Sequence, residues 1–275
     1  MFSGMSMAGS IKGSCILLLQ ALSEWKVARR PPRISMAPAD WERSLRDPTA
    51  FYAECVRYFH SEAPAEFREH REYFHNVREN RRGYGENAFH TMWYFLLERF
   101  RPRNFLEIGV FRGQVISLVR LWARLRGVGC EVWGISPFSS AGDSVSTYRK
   151  DIDYYQDTLR NFEHFKLPAP GLLRAYSTDA QALELIGSKQ WEMVYIDGNH
   201  DYEVARQDWE ACSRSLQPGG VIVLDDSGLT TAFRPPIFAT KGHPGPSQLA
   251  REVDRAKFRE VIQVGHNRAF QRLPG

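Results

Sequence analysis

Met193-Val194-Tyr195-Ile196-Asp197-Gly198-Asn199-His200 and Val221-Ile222-Val223-Leu224-Asp225-Asp226 are two apolar runs that each stop abruptly in carboxylates. In a parallel sheet covered on both faces, strands read as near-continuous apolar runs. Ligands of open α/β sheets gather outside the carboxyl ends of such strands. Side by side, the two runs bring Asp197, His200, Asp225 and Asp226 to one crevice. That crevice is the candidate site.

The flanking sequence supplies the rest of the sheet. Phe105–Val110 reads as a first strand, Glu131–Ser136 as a second, stopped by Pro137, and Leu172–Tyr176 as a third. Helical spacing lies between them: Val115, Leu118, Val119, Trp122 and Leu125 share one face, as do Ile152, Tyr155, Leu159 and Phe162. Gln181–Ile186 is a short helix. Asp201–Leu216, with Ala205, Trp209 and Cys212 inward, joins the two opening runs through a turn at Pro218-Gly219-Gly220. A helix from Glu86 to Phe100 precedes the first strand. A helix over Ser247–Lys257 and a hairpin of Val261–Val264 with Ala269–Leu273 close the chain. Alternating strands and helices imply right-handed crossovers, hence a doubly wound, Rossmann-like α/β sandwich. The sheet is mostly parallel and seven-stranded, with a C-terminal antiparallel hairpin.

The 275 residues leave room for such a domain and an appendage. Residues 1–38, rich in Met, Gly and Ser with an Arg-Pro cluster at 28–33, read as a poorly ordered leader. Residues 39–85 read as an N-terminal helical extension, and 86–275 as the α/β domain. Trp41, Phe51, Tyr52, Tyr58, Phe59, Phe67, Tyr73 and Phe74 crowd the extension, which is a natural surface for a homo-oligomer. The net charge of +4 comes from scattered arginines without a Lys/Arg block, so nucleic acid is not the expected partner. Cys15, Cys55, Cys130 and Cys212 lie too far apart for a zinc pattern or a disulfide framework, which points to reduced thiols in a cytoplasmic protein. The apolar run Cys15–Leu22 is too short for a membrane span and lacks a signal-peptide cleavage site.

The first strand ends in Glu107-x-Gly109-x-Phe111-x-Gly113. This E-x-G-x-x-x-G spacing differs from the dinucleotide G-x-G-x-x-G. A glycine just past a strand lets a ligand approach the backbone, and the following helix offers free N–H groups. A plain tight turn is an equal reading of the motif taken alone. Asp226 could cap its loop, Asp201 reads as a helix N-cap, and His200 could merely cover that helix start. His60, His70, His75, His90, His164, His243 and His266 have no carboxylate partner at a strand tip and read as structural or surface groups.

FLEIGVFRG (105–113) and YIDGNHDYEVARQDWEACSRSLQPGGVIVLDD (195–226) together resemble the class I S-adenosylmethionine-dependent methyltransferases, nearest the macrocin-type and related sugar O-methyltransferases. The resemblance covers roughly Gly83 to Leu273, making 86–275 the methyltransferase domain. It implies S-adenosylmethionine bound by Glu107, Gly109, Phe111 and Gly113, with Ser136 at the ribose, Ser177 and Thr178 near adenine, and Tyr84 over the cofactor. Ser136 departs from the acidic residue usual there. Asp143 is a substitute, or the cofactor site has drifted. Asp197, Asp225 and Asp226 carry over as ligands of Mg²⁺ (or Mn²⁺ or Ca²⁺), and His200, with Asp197, as the catalytic base. The chemistry agrees: three convergent carboxylates need a cation, and all-oxygen ligation suits hard ions. Imidazole titrates near neutrality and can take a hydroxyl proton.

The implied activity is methyl transfer to a hydroxyl of a small molecule, a sugar or glycosylated natural product. A second reading, favoured by Ser136, is a non-catalytic scaffold on a degenerate methyltransferase fold. A nicotinamide oxidoreductase fits the glycine spacing less well. Acceptor specificity is expected from the N-terminal segment and the 227–247 loop, where Arg234, Lys241 and His243 could meet polar groups.

Overall fold

The computed structural model describes residues 19–75 and 82–275. Four N-terminal helices come first: α1 (helical through 19–28), α2 (Pro38–Arg46), α3 (Pro48–Ser61) and α4 (Ala65–His75). Then follow α5 (Asn87–Phe100), β1 (Asn104–Ile108), α6 (Gln114–Arg126), β2 (Glu131–Ser136), α7 (Tyr154–His164), β3 (Gly171–Arg174) and α8 (Ala180–Gly187). The chain finishes with β4 (Trp191–Ile196), α9 (Tyr202–Ser215), β5 (Leu216–Leu224), α10 (Pro244–Glu252), β6 (Phe258–Val264) and β7 (Asn267–Arg272).

These strands form one seven-stranded sheet in the order β3-β2-β1-β4-β5-β7-β6. Strands β1 to β5 run parallel, and β7 is antiparallel to both β5 and β6. The sandwich inferred from the sequence is therefore the observed fold. From β1 the chain winds outward through β2 and β3, then returns to place β4 on the other side of β1. Winding reverses there, so the β1 and β4 tips flank an open crevice.

Side chains alternate across each strand, and the two faces bury separate cores. Met193, Tyr195, Val221 and Val223 face α3, α5 and α6. Val194, Ile196, Ile222 and Leu224 face α8, α9 and α10. Burying each large aliphatic or aromatic side chain contributes about 1.5–3 kcal/mol. This two-sided demand is why Met193–Ile196 of β4 and Val221–Leu224 of β5 carry no charged residue until the strands end.

Three boundaries differ from the sequence reading. Of the leader expected over 1–38, residues 1–18 lie outside the described residues, but 19–28 are helical. Glu24 is buried there, accepting from Asn87 and Gln20 and lying 2.9 Å from His60 Nε2. A carboxylate with three partners fixes a segment whose composition alone suggests disorder. Pro218-Gly219-Gly220 is not a turn before β5 but an irregular start within it, where the register to β4 shifts between Trp191 and Met193. Helix α10 begins at Pro244, the position proline favours, three residues before the expected Ser247. Most of the N-terminal aromatics pack inward, with Tyr58 and Tyr73 only partly buried. Trp41, Phe51, Tyr52, Phe59, Phe67 and Phe74 are all buried in the chain's own interior.

Candidate active site

The strand tips are tied together one residue beyond the regular ladder. Gly109 N–H donates to Ile135 O, Asp197 N–H to Ile108 O, and Asp225 N–H to Ile196 O. Gly109 then sits against the Asp197 backbone with φ +93°. A Cβ there would lie 2.0 Å from Asp197 O, so only glycine fits. Glu107, just inside the tip, is buried and accepts the Ile116 N–H of α6 at 3.1 Å. Burial pushes its carboxyl up to about 8, the Ile116 bond opposes this and nearby Asp225 adds to it.

Two cavities open at these tips. The smaller, about 860 Å³, runs past Val110, Ser136, Phe138, Asp143, Ser177 and Thr178. The larger, about 1940 Å³, is lined among others by Tyr84, Glu107, Gln114, His200, Asp225 and Asp226. Gly109, Phe111, Tyr148 and Asp197 border both, so the cavities adjoin along these four residues. The Tyr84 ring lies 5.1 Å from that of Phe111, which lies 5.7 Å from Tyr148. Gly113 borders neither cavity. It opens α6 with φ +79°, and a Cβ there would lie 2.7 Å from a Thr158 methyl. Arg112 is buried on Asp157, which also takes Arg82 at 3.0 Å. Burial would raise the Asp157 carboxyl, but the two guanidiniums hold it below its ordinary value.

The carboxylates gather in the larger cavity as the sequence implies. Burial drives Asp197 well above the usual carboxylate range, and Asp225, to which it is hydrogen-bonded, adds to the shift. Asp225 is raised by burial and by Asp226, with His266 opposing. Asp226 behaves otherwise. Burial would raise it, but a hydrogen bond from His200 and the proximity of His266 and His243 bring it below its ordinary value. Its backbone adopts φ +48°, an uncommon region for a side-chain-bearing residue. That kink lets Asp226 O accept from His243 N–H at 2.8 Å and from Ser247 Oγ at 3.2 Å.

His200 lies between two carboxylates. Its Nδ1 is 2.6 Å from Asp143 Oδ2 and its Nε2 is 2.9 Å from Asp226 Oδ2. Burial would lower its pKa, but the two anions lift it to about 9. Asp143 is fully committed here: Oδ2 also takes the His200 N–H, and Oδ1 takes those of Val145 and Ser146. This corrects the expectation that Asp143 stands in for a ribose-binding acid, because its four acceptor positions are spent. Ser136 remains the polar group at the β2 tip, where Phe138 N–H reaches its hydroxyl at 3.5 Å.

Two histidines that the sequence read as structural or surface groups, His243 also as a loop group near the acceptor, stand beside the carboxylates. His266, on the β6–β7 turn, lies 3.4 Å from Asp225 Oδ1 and 3.7 Å from Asp226 Oδ1. His243 lies 3.7 Å from Asp226 Oδ2, its ring 4.5 Å from that of His200. Asp225, Asp226 and His266 form one compact donor trio and His200, Asp226 and His243 another, with Asp197 in neither. No local signal marks these histidines, since pairing across the sheet alone brings them in. Ser227 N–H donates to His266 O at 2.9 Å. Of the loop groups expected to meet an acceptor, only His243 lines a cavity. Lys241 Nζ instead donates to Thr231 O, and Arg234 is exposed at the Thr49 end.

Residues 106–227, which carry the β1 to β5 tips but not the α5, His243 or His266 walls of the crevice, match the family model described as a methyltransferase domain. Solved structures agree in fold. An S-adenosylhomocysteine-bound methyltransferase of Podospora anserina superposes with a TM-score of 0.54 at 14% identity, covering 79% of this chain and 93% of its own. An O-methyltransferase of Bacillus cereus, also with S-adenosylhomocysteine, gives 0.52 at 13%, covering 86% and 100%. No curated protein matches the chain in sequence. Among the described residues no helix is long and apolar enough to cross a membrane.

Proposed function

We propose that the methyltransferase domain moves the methyl group of S-adenosylmethionine to a hydroxyl oxygen of a small molecule, a sugar or glycosylated natural product, with help from a divalent cation. The observation that carries this reading is that the two cavities adjoin, sharing Gly109 and Asp197 as wall. One chamber suits a nucleoside, the other gathers carboxylates, and the methyl group would pass at their junction. Ser136, Ser177 and Thr178 offer hydroxyls to the nucleoside, and the bare Gly109 backbone lets the ligand approach β1 closely. Tyr84, Phe111 and Tyr148 offer ring faces to a sulfonium, an attraction of about 0.5–2 kcal/mol.

The donor set fits a hard divalent ion. Asp225 Oδ1 is buried without a hydrogen-bond partner among the described residues, and Asp197 and Asp225 crowd each other. Asp197, Asp225 and Asp226 would hold the ion, with His266 Nε2 as a neighbouring donor. Such an ion lowers the pKa of a bound hydroxyl and fixes its orientation. The protein's own share is positioning and proton handling. Asp143 fixes His200 through Nδ1 and leaves Nε2 on Asp226. A cation held by Asp226 would take over that carboxylate, lower the raised His200 pKa and free Nε2 for the acceptor's proton. Asp143 is a positioning residue in this scheme.

Calorimetric titration with S-adenosylhomocysteine tests the cofactor half, and the reading fails if millimolar ligand gives no binding. A second reading, a binding protein on the same fold, draws on the β2 tip. Ser136 is uncharged and Asp143 is spent on His200, so the ribose would meet no carboxylate from either. Cofactor binding with no methylated product across hydroxylated acceptors would favour that reading.

A further inference from the structure

His266 sits on the turn between β6 and β7, away from the strand tips that supply the carboxylates, yet its ring is held firmly against them. Ser227 N–H donates to His266 O at 2.9 Å, and Gly228 packs so close that a Cβ on it would lie 2.9 Å from His266 Cα. The Phe89 ring meets the imidazole at 64°, with centroids 4.8 Å apart. Behind the ring, Nδ1 lies 3.2 Å from Thr240 O. A backbone carbonyl can only accept, so Nδ1 keeps its proton in either charge state of the ring. Nε2 is then the nitrogen whose proton can be exchanged. Metal-bound imidazoles are held in this way, by an acceptor behind the other ring nitrogen.

Nε2 faces carboxylate oxygens without pairing with them. It lies 3.4 Å from Asp225 Oδ1, which takes no hydrogen bond among the described residues, and 3.7 Å from Asp226 Oδ1, too far for one. Asp225, Asp226 and His266 form one compact donor group on the wall of the larger cavity. Two ligands at about 2.1 Å from an ion stand about 3.0 Å apart at a right angle and about 3.4 Å apart at a tetrahedral one, so the spacing suits a small cation among them. Burial would lower the His266 pKa, but Asp225, Asp226 and Glu86 bring it above its ordinary value. The free ring thus holds a proton where an ion would bind, and binding displaces it. The other two histidines are placed differently. His200 Nε2 and His243 Nε2 stand on the opposite oxygen, Asp226 Oδ2, at 2.9 and 3.7 Å.

Carboxylates alone suit Mg²⁺ and Ca²⁺, whereas imidazole favours first-row transition ions. We propose that His266 Nε2 is a ligand of the active-site cation together with Asp225 and Asp226, and that this nitrogen makes the site prefer Mn²⁺ or Co²⁺ to Mg²⁺ and Ca²⁺. This deepens the cation half of the proposed function and rests on it.

Pulsed paramagnetic resonance of Mn²⁺ bound to the full chain, with isotope-labelled histidine, tests this, because it registers a nitrogen bonded directly to the ion. One imidazole nitrogen should couple to Mn²⁺ in the native chain and in His243→Gln, and none in His266→Gln. Calorimetry reads the preference. His266→Gln should lower the ratio of Co²⁺ to Mg²⁺ affinity at least about tenfold, or about 1.4 kcal/mol, and the Mn²⁺ to Mg²⁺ ratio by a smaller factor. Mn²⁺ held by oxygen alone in the native chain would overturn the ligand while leaving a cation in the site. So would a nitrogen coupling and a Co²⁺ preference that survive in His266→Gln. The native spectrum needs no variant, so the assignment can fail even where His266→Gln does not fold. Binding of none of these ions at millimolar concentration would overturn it together with the cation half of the proposed function. S-adenosylhomocysteine affinity, read on the same protein, reports separately on the cofactor half.

Discussion

The two cavities share a wall and little else. The smaller is bounded by the tips of β1, β2, β3 and β4 and the loops that follow them, offering hydroxyls, backbone and aromatic faces. The larger is bounded by carboxylates and histidines drawn from α5, β1, β4, β5, the 227–243 loop and the β6–β7 turn. Shape and dispersion dominate in the first, charge in the second. Charge is strong only where water is excluded. The histidines around Asp226 show why such a site needs remote segments: no strand tip by itself supplies the cations that hold an extra anion.

Removing a carboxylate gives the sharpest break. Asp225→Ala should lower turnover by at least about a thousandfold, since losing the cation site removes several kcal/mol of stabilisation. S-adenosylhomocysteine affinity should change less than about threefold, under about 0.7 kcal/mol. Parallel loss of both would show that the cavities are not separable. Gly109→Ala strikes the shared wall instead. Its φ of +93° and the 2.0 Å approach to Asp197 O should cost more than about 2 kcal/mol of stability and weaken cofactor binding and turnover together. Chemical denaturation and calorimetry read both, and an Ala variant of native stability would refute the close approach.

Acidification should also discriminate between the chambers. His70 and His90 are buried neutral behind the larger cavity, with folded pKa values below the unfolded value of about 6.5. The unfolded chain then binds more protons below that pH, so stability falls as pH drops from 6.5 toward the folded value of about 3. The slope should reach about 1.4 kcal/mol per pH unit for each histidine. Urea titrations at pH 7 and pH 5 measure it, and replacing His70 with Phe should flatten the dependence. The smallest effect belongs to the smaller cavity. Ser136→Asp should tighten S-adenosylhomocysteine by up to about tenfold, because charge-assisted hydrogen bonds are about twice as strong as neutral ones. Unchanged or weaker binding would argue that the ribose does not lie at the β2 tip.

Much of the first chamber was legible in the chain. FLEIGVFRG, the β2 end at Ser136 and the Ser177-Thr178 tip each announce a strand and its exit, and each borders the predicted crevice except Gly113. That glycine is needed for the left-handed entry to α6 and its packing on Thr158. His266 and Glu86 were not legible, and His243 only as a polar group of the 227–247 loop. Their sequence neighbours are a hairpin turn, a Pro/Gly loop and a helix start, and nothing local distinguishes them from surface groups. Asp143 was noticed for the wrong partner, because its distance to His200 depends on how a loop after β2 folds back over β4.

Sequence by itself determined the strands, their carboxylate endings and the winding order, because two-sided burial and period-two alternation leave a continuous apolar imprint on the chain. Only the tertiary structure decided what surrounds those endings. Hydrogen bonds from His243 N–H to Asp226 O and from Ser227 N–H to His266 O bring in groups 17 and 40 residues away from Asp226 in the chain. Such pairings depend on backbone kinks such as the φ of +48° at Asp226, and residue type and spacing do not record them.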